Sequence, residues 1–170
     1  MQKSILSVTL AACGAVALSL AGLSPALASD DNRIEFHGGI GSTPFALVSG
    51  MPGPNDVRGV TPGGRPWVIE KLRASIRADG AISVKGKGLL LAGGNSVGLP
   101  ALPRQVVATL FCGATELTSP PADLDAGGNF MIRGTLGAAL PDPCQTPTLL
   151  IRNFSSNTAG AWFAAGIPEN

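Results

Sequence analysis

The residues able to do chemistry are few and far apart. There is one histidine, His37. A Ser-His-Asp relay would have to run through it, yet the chain has no Gly-x-Ser-x-Gly elbow, and the nearest serine setting, Gly94-Asn95-Ser96-Val97-Gly98, has the composition of a loop. Ile34 and Phe36 alternate with polar neighbours, which puts His37 on the outer face of a strand. A structural zinc site draws on several His or Cys ligands, and the chain supplies no such set. Asp123-Leu124-Asp125 opens like an acidic calcium loop. However, Gly127 stands where the fifth position needs an oxygen ligand, and Gly134 where the twelfth needs a bidentate Glu. An ordinary Asp/Gly turn with Gly128 at its left-handed position is expected instead. The eleven acids are too scattered to single out a pair for glycoside hydrolysis. Trp67 and Trp162 lie in apolar runs, which favours core packing over ligand stacking. Gly93-Gly94-Asn95 has no Gly-Lys-Ser/Thr after it to make a phosphate loop. No catalytic, cofactor-binding or metal-binding residue is assigned.

Among the twelve basic residues the nearest thing to a cluster is Lys71, Arg73, Arg77, Lys85 and Lys87. It is too sparse for the stripe that captures nucleic-acid phosphates, so no nucleic-acid partner is expected.

The N-terminus sets the expected compartment. Lys3 precedes a mostly apolar stretch from about Ile5 to Leu23, Pro25 breaks it, and Ala26-Leu27-Ala28 fits a small-x-small cleavage site. Residues 1–28 therefore read as a signal peptide, with a periplasmic or extracellular product. Leu10-Ala11-Ala12-Cys13 also has the look of a lipobox that would acylate Cys13, but the residues after it stay apolar where a lipoprotein turns polar. No later stretch has the roughly 18 apolar residues of a spanning helix. Lys3 is the one charged residue in 1–28, so its removal from twelve basic and eleven acidic residues leaves eleven of each. Cys112 and Cys144 would then remain, and two Cys in an exported chain are expected to form a disulfide. Closing a loop of that length is worth roughly 3–4 kcal/mol in the chain-entropy model.

The elements that must position these groups look like strands. Short alternating runs bounded by Gly, Pro, Asn and Asp recur without helical periodicity. The expected organisation is an N-terminal strand segment at 29–48, an irregular Pro/Gly-rich connector at 49–66, and a β-sandwich domain at 67–170. The sandwich would have about seven short antiparallel strands, with a small β-barrel as the alternative. Strands are expected at 32–40, 105–112, 147–154 and 160–167, the last two being joined by Ser155-Ser156-Asn157-Thr158-Ala159.

The turn at Ala78-Asp79-Gly80 can be read in detail. A two-residue Asp-Gly loop would set Ile76 opposite Ser83 and put the faces in conflict. A three-residue loop pairs Arg77 with Ala81, Ile76 with Ile82 and Ala74 with Val84, with Gly80 left-handed. The run Ala126-Gly-Gly-Asn-Phe-Met-Ile-Arg-Gly-Thr-Leu136 aligns with Ala78-Asp-Gly-Ala-Ile-Ser-Val-Lys-Gly-Lys-Gly88. This predicts a second corner of the same construction at Gly128. Two hairpins with shared turn chemistry explain the alignment more simply than a duplicated unit.

The blocks at 66–74 (PWVIEKLRA), 79–94 (DGAISVKGKGLLLAGG), 106–114 (VVATLFCGA) and 161–168 (AWFAAGIP) resemble a group of small exported bacterial proteins of unknown function. The resemblance implies an exported β-rich domain and carries no activity or site residue. The functional expectation is a non-catalytic extracytoplasmic binding or structural module, with an extracellular protein as one candidate partner. A broad apolar patch at 89–103 would favour that partner. The alternatives are a secreted hydrolase using paired carboxylates and an inhibitor of secreted hydrolases with a rigid exposed loop.

Overall fold

The computed structural model describes residues 33–101 and 104–169. The expected signal peptide at 1–28 and Cys13 lie outside the described residues. Among the described residues thirteen strands follow one another: β1 (Arg33–Gly41), β2 (Phe45–Val48), β3 (Met51–Pro54), β4 (Trp67–Val68), β5 (Lys71–Arg77), β6 (Ala81–Lys87), β7 (Leu90–Leu91), β8 (Gln105–Cys112), β9 (Thr115–Thr118), β10 (Ala122–Asp123), β11 (Phe130–Thr135), β12 (Thr148–Ser155) and β13 (Thr158–Pro168). The fold is all-β, as alternation and turn residues predict, and no helix among the described residues is long and apolar enough to cross a membrane.

Nine strands form one antiparallel sheet in the order β10-β8-β12-β13-β1-β5-β6-β11, with β9 beside β10 on the same edge of β8. Pro120 and Pro121 separate those two short strands. Between them Ser119 replaces the lost ladder, its N–H donating to Ala108 O and its Oγ accepting from Ala108 N–H, both at 2.9 Å. The sheet curls until its two edges meet: a Cβ built on Gly134 of β11 would lie 3.0 Å from Pro120 Cγ. This half-barrel lies between the expected sandwich and its barrel alternative, and it has more strands than the seven anticipated. Its interior holds Phe36, Leu72, Ile76, Val84, Leu110, Ile132, Leu149, Ile151 and Phe163 in one cluster.

The strand expected as a separate N-terminal segment is central. Phe36 is fully buried, and β1 sits between β13 and β5. The connector at 49–66 is likewise part of the fold. It contains β3, which pairs with β2 through Ser49 and Gly50 at φ 52° and 81°. It also contains a Val57–Val60 bridge turned by Arg58 and Gly59 at φ 53° and 76°. A third two-residue turn, Ser156-Asn157 at φ 51° and 59°, joins β12 to β13. Positive φ at both turn residues matches the twist of flanking strands. Val57 and Val60 of the connector pack on Phe111, Leu150 and Trp162, and so cover the outer face of β8, β12 and β13. That cover explains why β8 is apolar on both faces.

The hairpin at Gly80 has the expected register, with Ile76 opposite Ile82, Ser75 opposite Ser83 and Ala74 opposite Val84. Gly80 has φ 84°, and a Cβ there would lie 2.1 Å from Ala138 O, so conformation and space both demand glycine. Gly128 also turns with positive φ, at 73°. Here the expected second hairpin is not formed. The strand before the turn, β10, pairs with β8, and the strand after it, β11, pairs with β6. The shared turn chemistry therefore bridges the two edges of the sheet.

Candidate functional site

Four of the five clustered cations converge on one outer surface. Inward Leu72, Ala74, Ile82 and Val84 force Lys71, Arg73, Lys85 and Lys87 to point out. Register then sets Lys71 opposite Lys87 and Arg73 opposite Lys85, while β1 adds His37 opposite Arg73. The β1–β13 register shifts between Phe36 and Gly39, a bulge that spans His37 and Gly38 beside them. The result is a hollow of about 390 Å³ lined by the four cations together with His37, Gly38, Glu70 and Leu72.

Like charges directly opposite on adjacent strands weaken a sheet, so this arrangement opposes stability. Partial relief comes from Glu70, 3.6 Å from Lys71. Arg73, Lys85 and Lys87 have no carboxylate at ion-pair distance among the described residues. Arg77, the fifth member, lies further along β5 and pairs with Asp79 at 3.3 Å.

His37 is on the strand surface, as its sequence setting predicts. Its Nε2 lies 3.5 Å from a Glu35 oxygen and 3.3 Å from a Glu169 oxygen. These three donor atoms lie within 4.8 Å of one another and form the one group of potential metal ligands among the described residues. Glu169 comes from the far end of the chain, which is why no local motif reveals the group. The other acidic motif is committed to its own backbone. Asp125 Oδ1 accepts from the N–H groups of Gly127 and Asn129, each at 2.8 Å. The Asn129 bonds, backbone first and then side chain, hold the Asp125 carboxyl below its ordinary value. Asp123 accepts from Gln105 Nε2 at 2.8 Å. The segment is thus a hydrogen-bonded turn, and Ser96 likewise sits in a turn, where its carbonyl accepts from Leu99 N–H.

Cys112 and Cys144 form the expected disulfide, tying the end of β8 to the segment before β12. Trp67 and Trp162 are both buried. The patch expected at 89–103 is small, since Leu89 and Leu91 are core residues and only Val97 and Leu99 are prominently exposed among the described residues. A larger apolar surface lies on the β2–β3 ribbon, where Phe45, Leu47 and Met51 are 72%, 75% and 70% exposed. Phe45 and Leu47 share a face with their cross-strand partners Pro54 and Pro52. Comparison with family models, with curated proteins and with solved structures finds no match to this chain.

Proposed function

We propose that the protein is a non-catalytic extracytoplasmic binding module that captures an acidic polymer in the groove on β5 and β6. The observation that carries this reading is the direct register of Lys71 with Lys87 and of Arg73 with Lys85 around one hollow. Such a surface weakens the sheet when empty and is relieved by an anionic occupant. The surface offers no exposed Phe, Tyr or Trp for base stacking among its lining residues, which favours an acidic polysaccharide over a nucleic acid. Asp125, held below its ordinary value, is set the opposite way from a general acid, so the hydrolase reading gains no support from it. Export is supported by the Cys112–Cys144 bridge and by the leader-like N-terminus.

Titration with polygalacturonate, with neutral dextran as control, tests the groove. The acidic polymer should bind, weaken steeply with salt, and be lost in the Lys85→Gln/Lys87→Gln double variant at a melting temperature no lower than the parent's, since both like-charge pairs are relieved. Equal binding of neutral dextran, or no effect of the double variant, would overturn the reading. Mass spectrometry of the exported product tests the compartment: it should begin just after Ala28 and carry Cys112 linked to Cys144.

The exposed ribbon favours a second reading, docking of a protein such as a secreted hydrolase. In that case Leu47→Glu should abolish inhibition of the hydrolase while leaving polygalacturonate binding intact. Full inhibition by this variant would eliminate the ribbon as the contact.

A further inference from the structure

A second cation site lies at the open end of the curl, where β8 begins and the β12–β13 hairpin turns. Trp67 and Phe163 stack there with ring centroids 4.1 Å apart and planes 25° from parallel. The guanidinium of Arg104 lies over both rings, 5.5 Å from the Trp67 centroid and 5.0 Å from that of Phe163. Its Nε donates to Ala101 O at 3.1 Å and its Nη1 to Asn153 Oδ1 at 2.9 Å. The fork is therefore fixed in plane and direction. Its Nη2 donors have no acceptor among the described residues. Beside it is a cleft of about 400 Å³, walled by Gly63, Gly64, Leu91 and Ala161 and holding a second guanidinium, Arg65.

The chain's other sheltered arginine shows what a purely structural one looks like. Arg152 is buried, and each guanidinium nitrogen is engaged: Nη1 with Glu116 Oε1 at 2.6 Å, Nε with Gly160 O at 2.8 Å and Nη2 with Ala159 O at 3.0 Å. Arg104 is half-buried with no carboxylate at ion-pair distance among the described residues, and its electrostatic neighbour is another cation. Desolvation first, and the Arg65 charge second, hold its pKa below the ordinary arginine value. Asp123 lines the adjoining hollow but is bonded to Gln105. Stacking on the aromatic pair accounts for the position of one guanidinium. It accounts neither for the second guanidinium nor for the open Nη2 donors. The Trp67 indole N–H adds a further donor without an acceptor among the described residues, so the cleft offers donors and positive charge to whatever enters.

We propose that this cleft binds a small organic anion through one carboxylate, phosphate or sulfate group. Arg104 and Arg65 grip the oxyanion, and the apolar remainder lies along Leu91 and Ala161. Guanidinium N–H donors held in a fixed plane suit the oxygens of such groups, and an aromatic-floored concavity with a few convergent polar groups is a common place for a ligand. The site is separate from the groove on β5 and β6 and stands whether or not that groove binds a polymer.

Trp67 serves as the reporter. The full chain is titrated separately with inorganic phosphate, sulfate, acetate and benzoate, following the indole Nε1–H resonances. One or more should give a saturable shift of the Trp67 signal, with a smaller shift at Trp162. Tighter binding of benzoate than of acetate would assign the occupant as a carboxylate with an apolar body, and a preference for phosphate or sulfate would assign it as a tetrahedral oxyanion. Arg65→Gln should weaken binding about tenfold, the usual loss of one charge-assisted contact, at a melting temperature no lower than the parent's, because Arg65 makes no ion pair among the described residues and its charge opposes that of Arg104. Arg104→Lys keeps the charge without the fork and should also weaken it. Lys85→Gln/Lys87→Gln should leave it unchanged. No saturable shift with any of the four anions, or binding undiminished in Arg65→Gln, would overturn the proposal.

Discussion

The two cationic regions are built in opposite ways. In the groove, Lys71, Arg73, Lys85 and Lys87 are placed by strand alternation alone, and their ends stand in solvent. In the cleft, one guanidinium is placed by tertiary packing, held by two hydrogen bonds and two ring faces. Exposed charges act over a Debye length and are screened by salt, whereas an oriented, partly desolvated fork acts at contact and is screened less. The groove is suited to attracting a long, variable anion. The cleft is suited to selecting a particular anionic group.

The largest test of this contrast removes the floor of one region and the charge of the other. Trp67→Ala should destabilise the fold by about 3–5 kcal/mol in urea, because a buried aromatic and its stack on Phe163 are lost. Lys85→Ala should stay within about 0.5 kcal/mol of the parent, as exposed substitutions generally do. Comparable losses at both positions would mean that the groove is a packed structure after all, and the distinction would fail.

A smaller effect sharpens the groove itself. Lys87→Glu turns the Lys71–Lys87 like-charge pair into an opposite-charge pair. It should stabilise the protein by about 0.2–1 kcal/mol at low salt, with the gain shrinking as salt rises. It should also abolish polygalacturonate binding and leave the cleft's response to small anions intact. A loss of stability in this variant would show that Lys87 has a favourable contact in place of the repulsion inferred from register.

The same distinction governs how much the sequence reveals. Alternation in Leu72–Ile76 and Ile82–Val84, with the fixed geometry of a three-residue Gly turn, is local, so the β5–β6 register and the shared face of its cations can be read directly. The Cys112–Cys144 bridge follows from the cysteine count and the expectation of export. The Ser49-Gly50 and Arg58-Gly59 turns are hidden by the prolines around them, whose density suggests irregular chain. In β3, Pro52 and Pro54 face Leu47 and Phe45, alternating with the pairs Ala46–Gly53 and Val48–Met51. Arg104 resembles any other scattered cation because Trp67, Asn153 and Phe163, which fix it, come from three distant strands. Glu169 reaches His37 in the same non-local way. Charges placed by period are legible, and charges placed by packing are not.

The smallest effect concerns the far rim of the groove. Asp125 borders a hollow of about 430 Å³ that also touches Lys85 and Lys87, and its carboxylate closes the turn joining the sheet edges. Its folded-state pKa is lowered from 3.8 mainly by Asn129. A carboxyl lowered on folding adds stability that is fully present above its unfolded value, and the contribution disappears as pH falls through the folded value. The turn should therefore tighten the fold near neutral pH and stop doing so in acid. Asp125→Asn keeps an acceptor for the Gly127 and Asn129 N–H groups but cannot titrate, so it should flatten the fall in melting temperature between about pH 5 and about pH 2. Asp125→Ala should flatten it too, while lowering the neutral-pH value. Substituting Lys85, which leaves the Asp125 turn bonds in place, should leave the acid limb unchanged in shape. An acid limb of parental slope in both Asp125 variants would mean that the turn's stability comes from Gly128 and its backbone bonds without help from the carboxylate.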